Sequence, residues 1–118
     1  MSGTNNSDEA VDIEELKEIM DNDMELIQDC FAEFIQDWPT LYGEIKDAIL
    51  EKNAQKLNAA AHKLKGTLRY LAAESAAAAA YALESAGNEN NFEGVDTFLS
   101  TLKNECRRLV AYIENFKP

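Results

Sequence analysis

VDTFLSTLKNECRRLVAYIENF, residues 95–116, carries Val95, Leu99, Leu102, Cys106, Leu109, Ile113 and Phe116 in steps of four, three, four, three, four and three. That is the a/d spacing of a helix whose apolar seam packs against other helices, and it predicts a helix over about 92–116. Such a seam can also zip two chains together. Three other amphipathic stretches upstream need partners too, so the seam is read as one wall of an intramolecular bundle and the chain as a monomer; the other reading is a homodimeric coiled coil.

The upstream stretches follow the same logic. Met24, Ile27, Phe31, Phe34, Trp38, Leu41, Ile45 and Ala48 keep one helical phase through Pro39. A proline inside a helix kinks or ends it. Because the phase survives, a single helix over 23–51, kinked at Pro39, is expected; the alternative is a second helix capped by Asp37. Asn53 is an N-cap candidate for a helix over 54–72 with Leu57, Leu64, Leu68 and Leu71 on one face. An alanine-rich helix over 74–87 follows, with Gly87 and Asn88 as its stop signal. Asp12, with Glu15 three residues on, opens a short helix over 12–21. Residues 1–10 are polar and read as a disordered tail, leaving one domain over 11–118. Short connections favour antiparallel neighbours. The fold class is therefore all-α: an antiparallel up-down four-helix bundle with a short extra N-terminal helix.

Composition narrows the function. At 118 residues, 46% of them hydrophobic and with only two prolines, the chain suits one globular helical domain. A formal net charge of -11 argues against nucleic acid and against an anionic membrane surface. No apolar run reaches membrane-spanning length and no signal sequence stands at Met1, so a cytoplasmic protein is expected. Cys30, Cys106 and one histidine leave too few soft ligands for a metal site, and both thiols are expected to be reduced core residues.

Against this acidic background, Ala54 to Ala73 contains no Asp or Glu, but holds Lys56, Lys63, Lys65, Arg69 and the lone histidine, His62. At about 100° per residue, the leucines of that helix fall roughly 180–240° from His62. Lys65, Gly66, Arg69, Asn58 and Ala59 fall within about 60° of it. His62 therefore faces solvent rather than the core. Gly66, costing about 1 kcal/mol in mid-helix relative to alanine, lies one turn away on that polar face, where clearance for an approaching macromolecule explains it. Lys65 and Arg69 favour an anion there and leave the imidazole in its neutral, nucleophilic form. An accessible imidazole beside cations suits accepting and donating a phosphoryl group.

Ala61-His62-x-Leu64-Lys65-Gly66, followed by Leu71-x-Ala73, resembles the signature of histidine-containing phosphotransfer (HPt) domains, as do Phe34-x-x-Asp37-x-Pro39 and Leu83-Glu84. The similarity spans about Val11 to Phe116. It implies that His62 takes a phosphoryl group from the aspartyl phosphate of a response-regulator receiver domain and passes it to another receiver. It further implies that Lys65 stabilises the phosphoryl oxygens and that Gly66 makes room for the receiver; Arg69, Asn58, Ala59 and Lys63 on the same helix are the further candidates for the binding surface. Partners would be receiver domains, a hybrid histidine kinase, or both. Mg²⁺ is expected on the partner receiver and no cofactor on this chain, which has no Gly-rich nucleotide loop for ATP-dependent kinase activity of its own. The chain departs from the family pattern at Ala72, where Gly is usual, and at Arg69, where a small residue is usual. The alternative function is a non-catalytic helical adaptor that binds a signalling partner through the same basic face.

Overall fold

A computed structural model of the chain describes residues 9–116. Among them are five helices and no strand: α1 Ile13–Ile19, α2 Met24–Leu50, α3 Ala54–Tyr70, α4 Glu74–Asn88 and α5 Val95–Glu114. Residues 1–8 of the expected tail lie outside the described residues; Ala10, assigned to that tail by composition, is buried with Val11 in the core.

Side-chain caps start the first three helices. Asp12 accepts a hydrogen bond from Glu15 N, Asp23 from Leu26 N and Asn53 from Lys56 N, each satisfying an orphan N–H of the first turn. The α2 helix runs unbroken through Pro39, and the alternative break capped by Asp37 does not occur. Its single apolar phase explains this: Ile27, Phe31, Phe34, Leu41, Ile45 and Ala48 are all buried on one side.

The helix ends depart from expectation for one shared reason. Asp21, Lys52, Ala72 and Asn90 each take a positive φ just past α1, α2, α3 and α4. After α2, Lys52 N donates to Ile49 O and Asn53 N to Ala48 O; after α3, Ala72 N donates to Arg69 O and Ala73 N to Leu68 O. This paired closure of a helix C-terminus normally uses glycine. Here non-glycine residues take the left-handed position, so α3 stops at Tyr70 rather than 72 with no glycine to mark it. Conversely, Gly87 is not a stop signal. It is buried inside the last turn of α4, which runs on to Asn88. The α5 helix starts at Val95, after Gly94, and not at 92.

The closest packing is between α3 and α4, with α2 against α3 and α5 against α4. Alanines make that approach possible: Ala60 and Ala61 on α3 are buried, as are Ala76, Ala77, Ala79, Ala80 and Ala86 on α4. The α5 seam faces the chain's own core, with Val95, Leu102, Cys106 and Leu109 buried and Leu99, Ile113 and Phe116 packed partly covered against it. Phe31 of α2 meets Tyr112 and Phe116 edge-on, joining the far ends of α2 and α5. Cys106 is a core residue, and burial pushes its thiol up to about 12. Cys30 is only half-buried, contrary to expectation, because its place on α2 is at the rim of a hollow beside α3.

A side chain at Gly87 has no space: a Cβ there would lie 2.5 Å from Asn58 N and 2.7 Å from Ala54 O, both backbone atoms of α3. Gly87→Ala must push the two helices apart, and we expect it to lower stability by about 1–3 kcal/mol, as overpacking of a tight core does. Urea denaturation followed by circular dichroism checks this, and wild-type stability in the variant would contradict the packing described.

Candidate functional site

The site is built on α3 and α4. Ion pairs and hydrogen bonds bring together four side chains: His62 and Lys65, one turn apart on α3, and Tyr81 and Glu84 on α4. Glu84 is the centre. Its Oε2 lies 2.8 Å from His62 Nδ1 and its Oε1 lies 2.6 Å from Lys65 Nζ. The Lys65 ammonium also sits 5.2 Å from the centre of the Tyr81 ring, within cation–π range. Asn58 donates from Nδ2 to the backbone carbonyl of Glu84 at 2.9 Å, fixing the height of α4 against α3 at this point.

Exposure separates the members of this group. The His62 side chain is 67% exposed, whereas Lys65 is 13% and Glu84 16% exposed. The expectation for His62, a solvent-facing imidazole opposite the leucines, matches this placement. The expectation that cations surround it needs correction. Lys65 is not an open surface charge but is covered by Glu84 and Tyr81, and the group that touches the imidazole is a carboxylate. Glu84 and Tyr81 were the unanticipated members, because their positions depend on the register between two helices. A signal was present nonetheless: Glu84 is the single charged residue between Ser75 and Asn88.

Glu84 also fixes the protonation pattern of the site. Burial pushes its carboxyl up, but hydrogen bonding and charge from Lys65 and His62 outweigh burial and hold it below the usual glutamate value. At neutral pH it is therefore ionised and can only accept. The proton in the 2.8 Å contact then belongs to His62 Nδ1, and Nε2 is the ring nitrogen directed away from Glu84. Glu84 Oε1 is buried and has no hydrogen bond of good angle, so the Lys65 charge is its compensation.

The remaining candidates are placed around this centre. Gly66 is exposed, and a Cβ there would meet nothing within 4 Å. Among the described residues no packing demands this glycine. Ala59 and Arg69 are exposed on the same helix. Lys63 lies toward α2 and lines a hollow with Asp37, Thr40, Leu41, Glu44 and Thr67. A neighbouring hollow shares Asp37, Leu41 and Thr67 and is closed by Tyr70, which is 51% exposed. Asn58 is half-buried and engaged as the α3–α4 brace.

This helical chain presents one exposed imidazole, held by Glu84 of the next helix, which also pairs with Lys65 one turn along α3. The family comparison is in agreement: residues 29–112 match the Hpt domain family model, and the chain belongs to the Hpt domain family, with a phosphotransfer role in phosphorelay signalling. No curated protein and no solved structure matches it. Among the described residues, no helix is long and apolar enough to cross a membrane.

The depressed Glu84 carboxyl makes a pH prediction. A carboxyl whose folded value lies below its unfolded value contributes stability that is fully present above the unfolded value of 4.5 and is lost as pH falls through the lower folded value. Glu84→Gln is therefore expected to be less stable than wild type at pH 7, with the difference shrinking as pH falls through the carboxylate range. Urea midpoints measured from pH 7 downward test this; a gap that stays constant with pH would show that the charge is not what stabilises the pair.

Proposed function

We propose that His62 is a phosphoryl carrier, accepting the group on Nε2 from the aspartyl phosphate of a receiver domain and giving it to a second receiver. The observation that carries this reading is the 2.8 Å contact between His62 Nδ1 and Glu84 Oε2. In the forward step the Nε2 lone pair forms a bond to phosphorus while the bond from phosphorus to the aspartate oxygen breaks, and the receiver's carboxylate leaves. The ring becomes cationic, with a proton on Nδ1 and phosphorus on Nε2, and Glu84 faces that charge. In the return step the second receiver's carboxylate attacks phosphorus and the ring leaves neutral. Lys65, one turn from His62, is the nearest ammonium that could move from Glu84 to the phosphoryl oxygens.

Mg²⁺ in this reading belongs to the receiver, and this chain supplies the nucleophile, the orienting carboxylate and the cations. A response-regulator receiver or the receiver of a hybrid kinase would dock over Gly66, Ala59, Lys63 and Arg69. We further propose that α2 to α5 form an antiparallel up-down four-helix bundle with α1 as the extra N-terminal helix, and that the protein is monomeric and cytoplasmic. The three-residue connections Glu51–Asn53 and Leu71–Ala73 support the antiparallel arrangement.

Incubation with a phosphorylated receiver should leave acid-labile, alkali-stable phosphate on the wild-type chain and none on His62→Gln. Full labelling of that variant would end the proposal, and absence of label on the wild type would favour an adaptor. Gly66→Ala separates stability from docking. The methyl group meets nothing within the chain, so the variant is expected to be more stable by about 0.5–1 kcal/mol. It should nonetheless receive phosphate more slowly from the receiver, because the added group stands where the partner approaches. Unchanged transfer would remove Gly66 from the interface.

A further inference from the structure

We infer that Arg69 is a second cation, beside Lys65, that meets the phosphoryl group on His62 Nε2, reaching it across the open floor left by Gly66. This rests on the carrier reading and adds a contacting residue to it. The starting point is where the positive charges of α3 are already committed. Lys56 pairs with Glu51 at 3.2 Å and Lys65 with Glu84 at 2.6 Å. Lys63 lies toward α2 in a hollow that also presents Asp37 and Glu44. Arg69 is exposed and makes no ion pair or side-chain hydrogen bond among the described residues. In a chain with 22 acidic against 11 basic residues, an arginine without a carboxylate partner is a charge kept available.

Its direction favours His62. Arg69 lies about 20° around the helix from His62 and about 10 Å further along the axis. Side chains on a helix lean toward its N-terminus and cover the preceding turn, which here is the turn of Gly66. A Cβ at Gly66 would meet nothing within 4 Å, so among the described residues no atom stands directly over this position between Arg69 and His62. The guanidinium fork matches two phosphoryl oxygens in a way that an ammonium does not.

The bland account of Arg69 is a cation set against the negative end of the α3 dipole. The carbonyls there are already satisfied: Ala72 N donates to Arg69 O, Ala73 N to Leu68 O and Leu71 N to Thr67 O. A dipole role would be filled equally by lysine and would leave phosphohistidine chemistry untouched, which gives the test its contrast.

The test needs no protein partner. Phosphoramidate labels an accessible imidazole directly: the Nε2 lone pair bonds to phosphorus, the phosphorus–nitrogen bond of the donor breaks and ammonia leaves. Wild type, Arg69→Gln and Arg69→Lys are labelled in this way and followed by ³¹P NMR against pH and time. Removal of the guanidinium should raise the pH at which the phosphoryl dianion takes up a proton. It should also change the hydrolysis rate of phosphohistidine by about two- to fivefold, the range set by one partly screened charge pair. Arg69→Lys should fall between the two. An unchanged ³¹P titration and lifetime in Arg69→Gln would overturn the inference while leaving the carrier reading intact, as would an effect seen only when a receiver is the donor. A wild-type chain that takes no label, while a free imidazole control does, would remove the carrier reading and this inference together.

Discussion

The close approach of α3 and α4 is the constraint on which the site depends. Gly87 lies against the backbone of Asn58 and Ala54, and alanines line both helices above it. A carboxylate on a two-carbon stem can touch an imidazole and an ammonium on the neighbouring helix only if the two axes are this near. Asn58 holds the same height through the Glu84 carbonyl. The packing that builds the core therefore also sets the 2.8 Å and 2.6 Å contacts that orient His62 and cover Lys65.

Placing a carboxylate between the two basic groups gives the site two electrostatic states. With His62 unmodified, Lys65 and Glu84 neutralise each other and Nδ1 of the imidazole donates to Glu84. In the proposed carrier role, a phosphoryl group on Nε2 would bring negative charge within reach of Lys65 and make the ring cationic, so Glu84 would exchange an ammonium partner for an imidazolium one. Charge would then be redistributed among groups already in contact, with little solvent reorganisation, the kind of preorganisation that lowers a transfer barrier. The small exposure of Lys65 and Glu84 strengthens each of these interactions relative to a surface pair.

Hydrophobic periodicity was enough to read the helices, the core leucines and the outward direction of His62, because each is a property of one helix considered alone. Helix termini were harder. The ends after α2 and α3 are closed by Lys52 and Ala72 in the left-handed region, and neither residue type signals that conformation. Gly87, the residue that does carry such a signal, is there for a different reason: it admits the backbone of α3. Glu84 was the largest omission. Periodicity says which face of α4 it occupies, but only the register of α4 on α3 says that it reaches His62. The one charge beyond the first turn of that helix was the available clue.

Ala72 shows how a departure from a family pattern can be accommodated without changing the turn. The position has φ of 56°, where glycine is unstrained and an L-residue costs about 1–2 kcal/mol. The methyl group is fully buried, and removing it would return about 0.8 kcal/mol of hydrophobic stabilisation to water. Asp12 N donates to Ala72 O at 2.9 Å, so the entry to α1 is attached to this same turn. Strain and burial of the methyl group are of similar size and opposed sign, while the backbone hydrogen bond would be made by either residue. The histidine helix can therefore end at Tyr70 in the same left-handed closure that a glycine would give, which keeps His62 at its distance from Glu84 with alanine in the turn.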